Sequence, residues 1–297
     1  MLTLDQWLAS GSRIPVWFPA GSAGTRGFEV FSRREGSGPW ITFLHGFPTC
    51  SWDWAPVAEL LKPHRRLLLF DFLGFGDSDK PARHAYSVFD QTTIVESLWR
   101  RFDIPSTVVV AHDYGVTVAQ ELLARLGEGR LAVQLEGVVL LNGGLYPEAY
   151  RPLRIQKLLA NRVLGPLVNA FVNESTFRRN FASIFSRQHP VSEEELRQHW
   201  QSIARRDGVR NYHRLIQYWH QRRRYRERWA GALEQTAVPL RFLWGMDDPI
   251  SGAPMAELIR ARLPQAEFVA LEGIGHYPQL EVPDLVAEKI AAPFQRT

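Results

Sequence analysis

TVVVAHDYGVTVAQ, residues 107–120, joins a continuous apolar run to a helix-like pattern through Ala111-His112-Asp113-Tyr114-Gly115. The run suits a strand buried on both faces. Val116, Val118, Leu122 and Leu123 then recur close to helical spacing. Small residues at Ala111 and Gly115 let a strand turn sharply into a helix, so the side chain between them is held exposed on a strained backbone, as in a nucleophile elbow. That side chain is Asp113, a position that would also suit a helix N-cap. With a reference pKa near 3.9, its carboxylate is ionised at neutral pH and needs no base to activate it. Attack on an ester or amide would give a labile anhydride. Attack on an sp³ carbon bearing a leaving group gives an ordinary ester, so epoxides and alkyl halides are the natural electrophiles.

Outward from the elbow, short apolar runs alternate with helical patterns, the signature of a mostly parallel sheet with crossover helices. Strands are predicted at 27–32, 40–45, 66–71, 107–112 and 136–142, with helices at 51–63, 90–103 and 115–127. After Gly143-Gly144 strand signals stop until about residue 236. They resume at 239–244, followed by a helix at 252–263, a strand at 267–272 and a last helix from about 283. The expected architecture is an α/β core over 1–144 and 236–297, helices on both faces of its sheet, with a helical cap inserted at 145–235. A chain of 297 residues is long enough for such a lidded α/β domain. The insertion carries 17 Lys+Arg against 8 Asp+Glu, the remainder 18 against 23. Its densest basic stretch, RRRYRERW (222–229), reads as a solvated helix face or a contact for an anionic surface.

Two further groups stand where an elbow enzyme needs them. His45-Gly46-Phe47-Pro48 follows a strand, so the Phe47 N–H together with that of Tyr114 would form an oxyanion hole. LWGMDDP (243–249) places Asp247 and Asp248 after a strand, and EGIGHYPQLEVP (272–283) places His276 in a Gly-rich loop after the last one. Nucleophile, acid and histidine thus follow one another in the chain order of this architecture, each at a strand's C-terminal end.

HGFPTCSWDW (45–54), DFLGFGDSDKP (71–81), AHDYG (111–115), GMDDP (245–249) and GHYPQLE (275–281) make nearly the whole chain similar to the α/β-hydrolase superfamily. The resemblance is to its aspartate-nucleophile branch of epoxide hydrolases and haloalkane dehalogenases. LNGGLYPE (141–148), RPLRIQKLL (151–159) and WAGAL (229–233) add a resemblance to the mesoderm-specific transcript (MEST)-like hydrolases. The resemblance implies Asp113 as nucleophile, His276 as base and Asp248 as acid, because the family spacing Gly-x-x-Asp-Pro runs here from Gly245 to Asp248-Pro249. Asp247 is the fallback. Asp71, Gly74 and Gly76 match a loop that supports the elbow.

The same resemblance separates two chemistries. Dehalogenases commonly hold the leaving halide with a Trp after the nucleophile, plus an Asn in the His-Gly-x-Pro motif or a cap Trp. Here those core positions are Tyr114 and Phe47, leaving Trp219 or Trp200 of the cap. Epoxide hydrolases use cap tyrosines to protonate the ring oxygen. Leu215-Ile216-Gln217-Tyr218 occupies the place of the family's Leu-Asn-Trp-Tyr and makes Tyr218 the expected proton donor, with Tyr146, Tyr150 and Tyr212 within reach for a second. The expectation is an epoxide hydrolase making a diol, with haloalkane dehalogenation as the alternative and a non-catalytic interaction protein using the basic cap as a third.

Composition limits the rest. Hydrophobic residues are 45% and aromatics 12% of the chain, which excludes disordered and fibrous classes. The single cysteine, Cys50, excludes an internal disulfide and a thiolate zinc site. The chemistry uses side chains, backbone amides and water, with no cofactor or metal and a small-molecule substrate. MLTLDQWLASGSRIPVWF lacks a basic stretch followed by a signal-length apolar run, and no stretch approaches 18 uncharged apolar residues. A cytoplasmic location without membrane insertion or nucleic-acid partner is expected. Ala20-Gly21-Ser22-Ala23-Gly24 has the loose pattern of a serine esterase but follows no buried strand and opens no helix.

Overall fold

The computed structural model describes residues 2–19 and 25–294, so the Ser22 pattern lies outside the described residues. Eight strands form one sheet: β1 (Ser12–Pro19), β2 (Thr25–Gly36), β3 (Trp40–Leu44), β4 (Arg66–Phe70), β5 (Ser106–His112), β6 (Gln134–Leu141), β7 (Leu240–Gly245) and β8 (Glu267–Leu271). Their order is β1-β2-β4-β3-β5-β6-β7-β8. β2 runs antiparallel to both β1 and β4, and every other pairing is parallel.

Strand alternation divides the apolar residues between two cores. Along β4, Leu68 and Phe70 face one side of the sheet and Leu67 and Leu69 the other. Helices α1 (Leu4–Ala9), α2 (Ala55–Leu61) and, near the end of the chain, Pro283–Ala291 cover the second side. The first side is covered by α3 (Val88–Arg101), α4 (Tyr114–Gly127) and the helix Ala253–Arg262. Continuous apolar runs are legible because strands flanked by helices have no wet face.

Between β6 and β7 the chain forms helices α5 (Arg154–Ala160), α6 (Gly165–Ala170), α7 (Glu174–Ala182), α8 (Glu193–Ala204), α9 (Tyr212–Leu215), α10 (Tyr218–Arg224) and α11 (Arg226–Gln235). They lie over the C-terminal ends of the strands, where Leu159, Phe177, Phe181, Tyr212, Leu215 and Trp229 extend the first core. After β7 come α12 (Ala253–Arg262), α13 (Pro278–Glu281) and α14 (Pro283–Ala291).

Two boundaries differ from expectation. β1 is an additional strand, pairing with β2 alone at the sheet edge, where Pro15 withholds no hydrogen bond that a second neighbour would need. The helix predicted at 51–63 is a 3₁₀ turn, Ser51–Trp54, leading into α2.

Candidate active site

β5 ends at His112 and α4 begins at Tyr114, leaving Asp113 alone in the turn with φ 45° and ψ −100°, a conformation that L residues rarely adopt. Close backbone approach makes the turn possible. A Cβ on Gly115 would stand 2.4 Å from the Leu44 carbonyl oxygen, so any larger residue would push α4 off β3. Hydrogen bonds from Asp113 N–H to the Asn142 carbonyl (3.1 Å) and from Gly115 N–H to the His45 carbonyl (3.1 Å) tie the turn to its flanking strand ends.

The Asp113 side chain makes no N-cap hydrogen bond to α4. Its Oδ1 instead accepts the Phe47 N–H at 2.9 Å. The expectation that this side chain is exposed is corrected: the helices over the sheet leave Asp113 only 2% accessible. Tyr114 opens α4, where a first-turn N–H has no helical acceptor. The Phe47 amide thus donates to the carboxylate, and the Tyr114 amide is the first N–H of the helix that follows it.

His276 faces Asp113 from the loop between β8 and α13, its Nε2 3.7 Å from Asp113 Oδ2. Its Nδ1 lies 2.8 Å from Asp248 Oδ2. Asp248 also accepts the Ser251 hydroxyl (2.6 Å), the Ile250 N–H (2.7 Å) and the Asn142 side-chain amide (2.9 Å). Burial pushes the Asp248 carboxyl up, but the His276 charge and these hydrogen bonds outweigh it and hold the group below its ordinary value. Burial pulls His276 down, yet the Asp248 charge and hydrogen bond, with Asp113 and Glu281, raise it above its ordinary value. The fallback, Asp247, is exposed.

Of the three tyrosines within reach of a second cap position, Tyr150 is the one brought beside Tyr218. The Arg222 guanidinium lies against both rings, and burial and then the Asp113 charge raise both phenols above their ordinary values. Tyr146 and Tyr212 are buried with hydroxyls that find no partner.

Two residues were missed as site components. Asn142 directly follows β6; besides Asp248 it binds both the carbonyl (2.9 Å) and the N–H (2.7 Å) of Gly245, holding the loop that carries Asp248. A polar residue closing the apolar run EGVVLLN was its only signal in the sequence. Arg222 is the second. At 2% accessibility, it donates from Nη2 to the Asp113 carbonyl (2.8 Å) and from Nε to Thr117 Oγ1 (2.7 Å). Its guanidinium also lies 4.6 Å from the Tyr218 ring centre and 5.2 Å from that of Tyr150. This corrects the reading of 222–229 as a solvated or free basic face in part: Arg222 turns inward, while Arg223 and Arg224 are exposed and without an ion pair among the described residues. Arg226 pairs with Glu148 at 2.6 Å, and Arg228 pairs with Glu121 at 2.7 Å.

Asp71 fixes the neighbouring loop by accepting the Ser51 N–H and hydroxyl (2.8 and 2.6 Å) and the Asp77 N–H (2.8 Å). Gly74 and Gly76 turn there with positive φ. A cavity of about 500 Å³ opens between α5, α6 and α7 and reaches His276 and Phe47, its walls largely apolar. Trp219 packs on Tyr150 and Trp200 on Phe177, with centroids 6.2 and 5.7 Å apart. Among the described residues, no three His, Cys, Asp or Glu side chains gather as a metal site.

Residues 39–283 match the α/β-hydrolase fold family. The chain is 40% identical over 269 residues to the mesoderm-specific transcript homolog protein of Bos taurus, covering 87% of this chain and 80% of that protein. Among solved structures, the epoxide hydrolase CorEH superposes with a TM-score of 0.73 at 18% identity, covering 94% of this chain and 97% of that one. The haloalkane dehalogenase DatA from Agrobacterium tumefaciens superposes with a TM-score of 0.74 at 20% identity, covering 94% and 95%.

Proposed function

This chain belongs to the α/β-hydrolase fold family, and we propose that within it the protein opens epoxides to diols through a covalent ester on Asp113. The observation that carries the reading is a buried carboxylate with His276 on one side and, through Arg222, the Tyr150 and Tyr218 phenols held to the same turn.

In the first step Asp113 Oδ2 bonds to an epoxide carbon, the ring C–O bond breaks, and the oxygen takes the Tyr218 proton. Raised phenol pKa values suit this role, since they keep the proton in place until an alkoxide develops. Arg222, stacked on both rings and bonded to the elbow, sets the phenols and the nucleophile in one frame. Water then adds to the ester carbonyl as His276 Nε2 removes its proton, with Asp248 fixing the imidazole through Nδ1. The amides of Phe47 and Tyr114 stabilise the oxyanion. Collapse expels the diol oxygen, which takes its proton from His276. The proton lost as the Asp113 carboxyl re-ionises returns to Tyr218.

Halide release is the less supported reading. Trp219 and Trp200, the cap indoles open to that role, pack on Tyr150 and Phe177. The non-catalytic reading loses part of its basic patch, since Arg222 is buried against the elbow and Arg226 and Arg228 are ion-paired. The test is turnover of epoxide and bromoalkane panels by wild type and Asp113→Asn, with intact mass of His276→Gln. Diol formation that falls at least ~10³-fold in Asp113→Asn, with an adduct of epoxide mass on His276→Gln, is expected. Bromide release instead would move the activity to dehalogenation. Folded protein inert on both panels would sink the proposal.

A further inference from the structure

Helices α5 and α6 form a hairpin whose outer surface is unlike the rest of the molecule. Seven large apolar side chains are exposed among the described residues, and five of them, Leu158, Val163, Leu164, Leu167 and Phe171, fall within fourteen consecutive positions. Val163 and Phe171 are 79% and 78% exposed. Exposed apolar residues clustered in this way mark a surface made for contact.

The charge on the same hairpin is one-sided. No acidic residue occurs between Glu148 and Glu174, while Arg151, Arg154, Lys157 and Arg162 do. All four cations are exposed, and none has a carboxylate within ion-pairing distance among the described residues. They contrast with Arg226 and Arg228 of α11, which are paired with Glu148 and Glu121. Unpaired cations around exposed aliphatic and aromatic side chains are the composition that binds an anionic bilayer, with the apolar groups at the acyl boundary and the cations at the headgroups.

Leu158 and Phe171 belong to this surface and also line the cavity that reaches His276. The apolar patch is therefore continuous with the mouth of the candidate active site. We infer that the α5–α6 hairpin is a docking surface for anionic lipid bilayers, seating the cavity mouth against the membrane so that apolar substrates enter from the lipid phase. No described helix is long and apolar enough to cross a membrane, so the attachment is peripheral.

The experiment is flotation of the whole protein with large unilamellar vesicles of pure phosphatidylcholine or of phosphatidylcholine with phosphatidylglycerol. Each Lys or Arg near an anionic surface strengthens partitioning about fivefold. Binding to the anionic vesicles should exceed that to the neutral ones more than tenfold and weaken as salt shortens the screening length. Arg154→Glu/Lys157→Glu/Arg162→Glu and, separately, Leu167→Glu/Phe171→Glu should each lower it at least tenfold. All five positions are exposed, and unchanged circular dichroism and melting would show that the variants fold. Equal flotation with both vesicle types, no flotation, or variants that bind like wild type would overturn the inference. So would a concentration-dependent dimer abolished by Leu167→Glu/Phe171→Glu, which would assign the patch to a second copy. The readout is binding alone, so it stands or falls separately from the covalent chemistry.

Discussion

Ester formation would neutralise the carboxylate that faces His276 Nε2, and this sets how the base behaves through a catalytic cycle. In the free site Asp248 and Asp113 together raise the His276 pKa against burial. Once Asp113 is esterified its contribution disappears, so the imidazole loses its proton more readily when it must act as a base. Only the neutral ring can take a proton from water. Turnover limited by ester hydrolysis should therefore be flat at high pH and fall as the pH drops through the His276 pKa of the intermediate. The corresponding inflection of kcat/KM, which reports the free enzyme, should lie higher and above the ordinary 6.5. Asp248→Asn removes the largest raising influence; both inflections should move down, and the plateau should fall by about 10²–10⁴-fold with the imidazole no longer oriented. Profiles of kcat and kcat/KM for the two proteins test this, and coincident inflections in the wild type would count against it.

At the scale of elements, α10 packs on the elbow through Tyr218 against Tyr114 and is hydrogen-bonded to it by Arg222. Arg222 crosses from the cap to the Asp113 carbonyl and Thr117, both on the turn into α4. Lysine at this position could not supply two separated donors in a plane. Arg222→Lys should therefore lose most of the clamp and lower kcat on epoxides by about tenfold or more with little change in KM. Arg222→Met, which leaves the buried carbonyl without its charged donor, should in addition cost about 2–3 kcal/mol in urea unfolding. A wild-type kcat in Arg222→Lys would show that the contact is structural only. Arg222 also shows where sequence reading stops. The strands β3 to β7 were legible because burial on both faces leaves largely apolar runs, β8 by its apolar FVAL although it is a half-buried edge strand, and the elbow because few residues permit so tight a strand-to-helix turn. β1 was not, since Pro15 and aromatic residues on both strand faces, Trp17 outward and Phe18 inward, blur its alternation. Within RRRYRERW composition is uniform, and only the packing of α10 against α4 selects Arg222 to turn inward. Tyr150 was likewise one of three tyrosines at similar reach until the fold set it beside Tyr218.

For the molecule as a whole, cap and core share one apolar interior, so they should unfold together. Leu215, Trp229 and Leu233 of the cap belong to the same cluster as Val109, Ala111 and Leu140 of the sheet. A second polar link through this interior, beside Arg222, is Glu121, fully buried in the middle of the elbow helix. It accepts Arg125 Nε at 3.0 Å, Arg228 Nε and Nη2 at 2.7 and 3.1 Å, and the Trp229 indole N–H at 2.9 Å. Arg228 and Trp229 lie on α11, so one carboxylate holds the cap's last helix against α4. Such a group stabilises less by its own attraction than by satisfying donors that would otherwise be stranded. Replacing it with an apolar residue of similar size leaves the indole and parts of two guanidinium groups unpartnered, although Arg125 keeps Glu96 and Arg228 keeps Glu128. Glu121→Leu should therefore destabilise the protein by about 3–5 kcal/mol. In wild type, urea transitions followed by far-UV circular dichroism and by intrinsic fluorescence should coincide, as two-state unfolding requires. In Glu121→Leu both should move to lower urea together, because the shared core still couples the two parts. If the fluorescence transition moved alone, α11 and the helices packed on it would be an independently unfolding unit. An unchanged midpoint would show that the remaining partners suffice to satisfy the stranded donors.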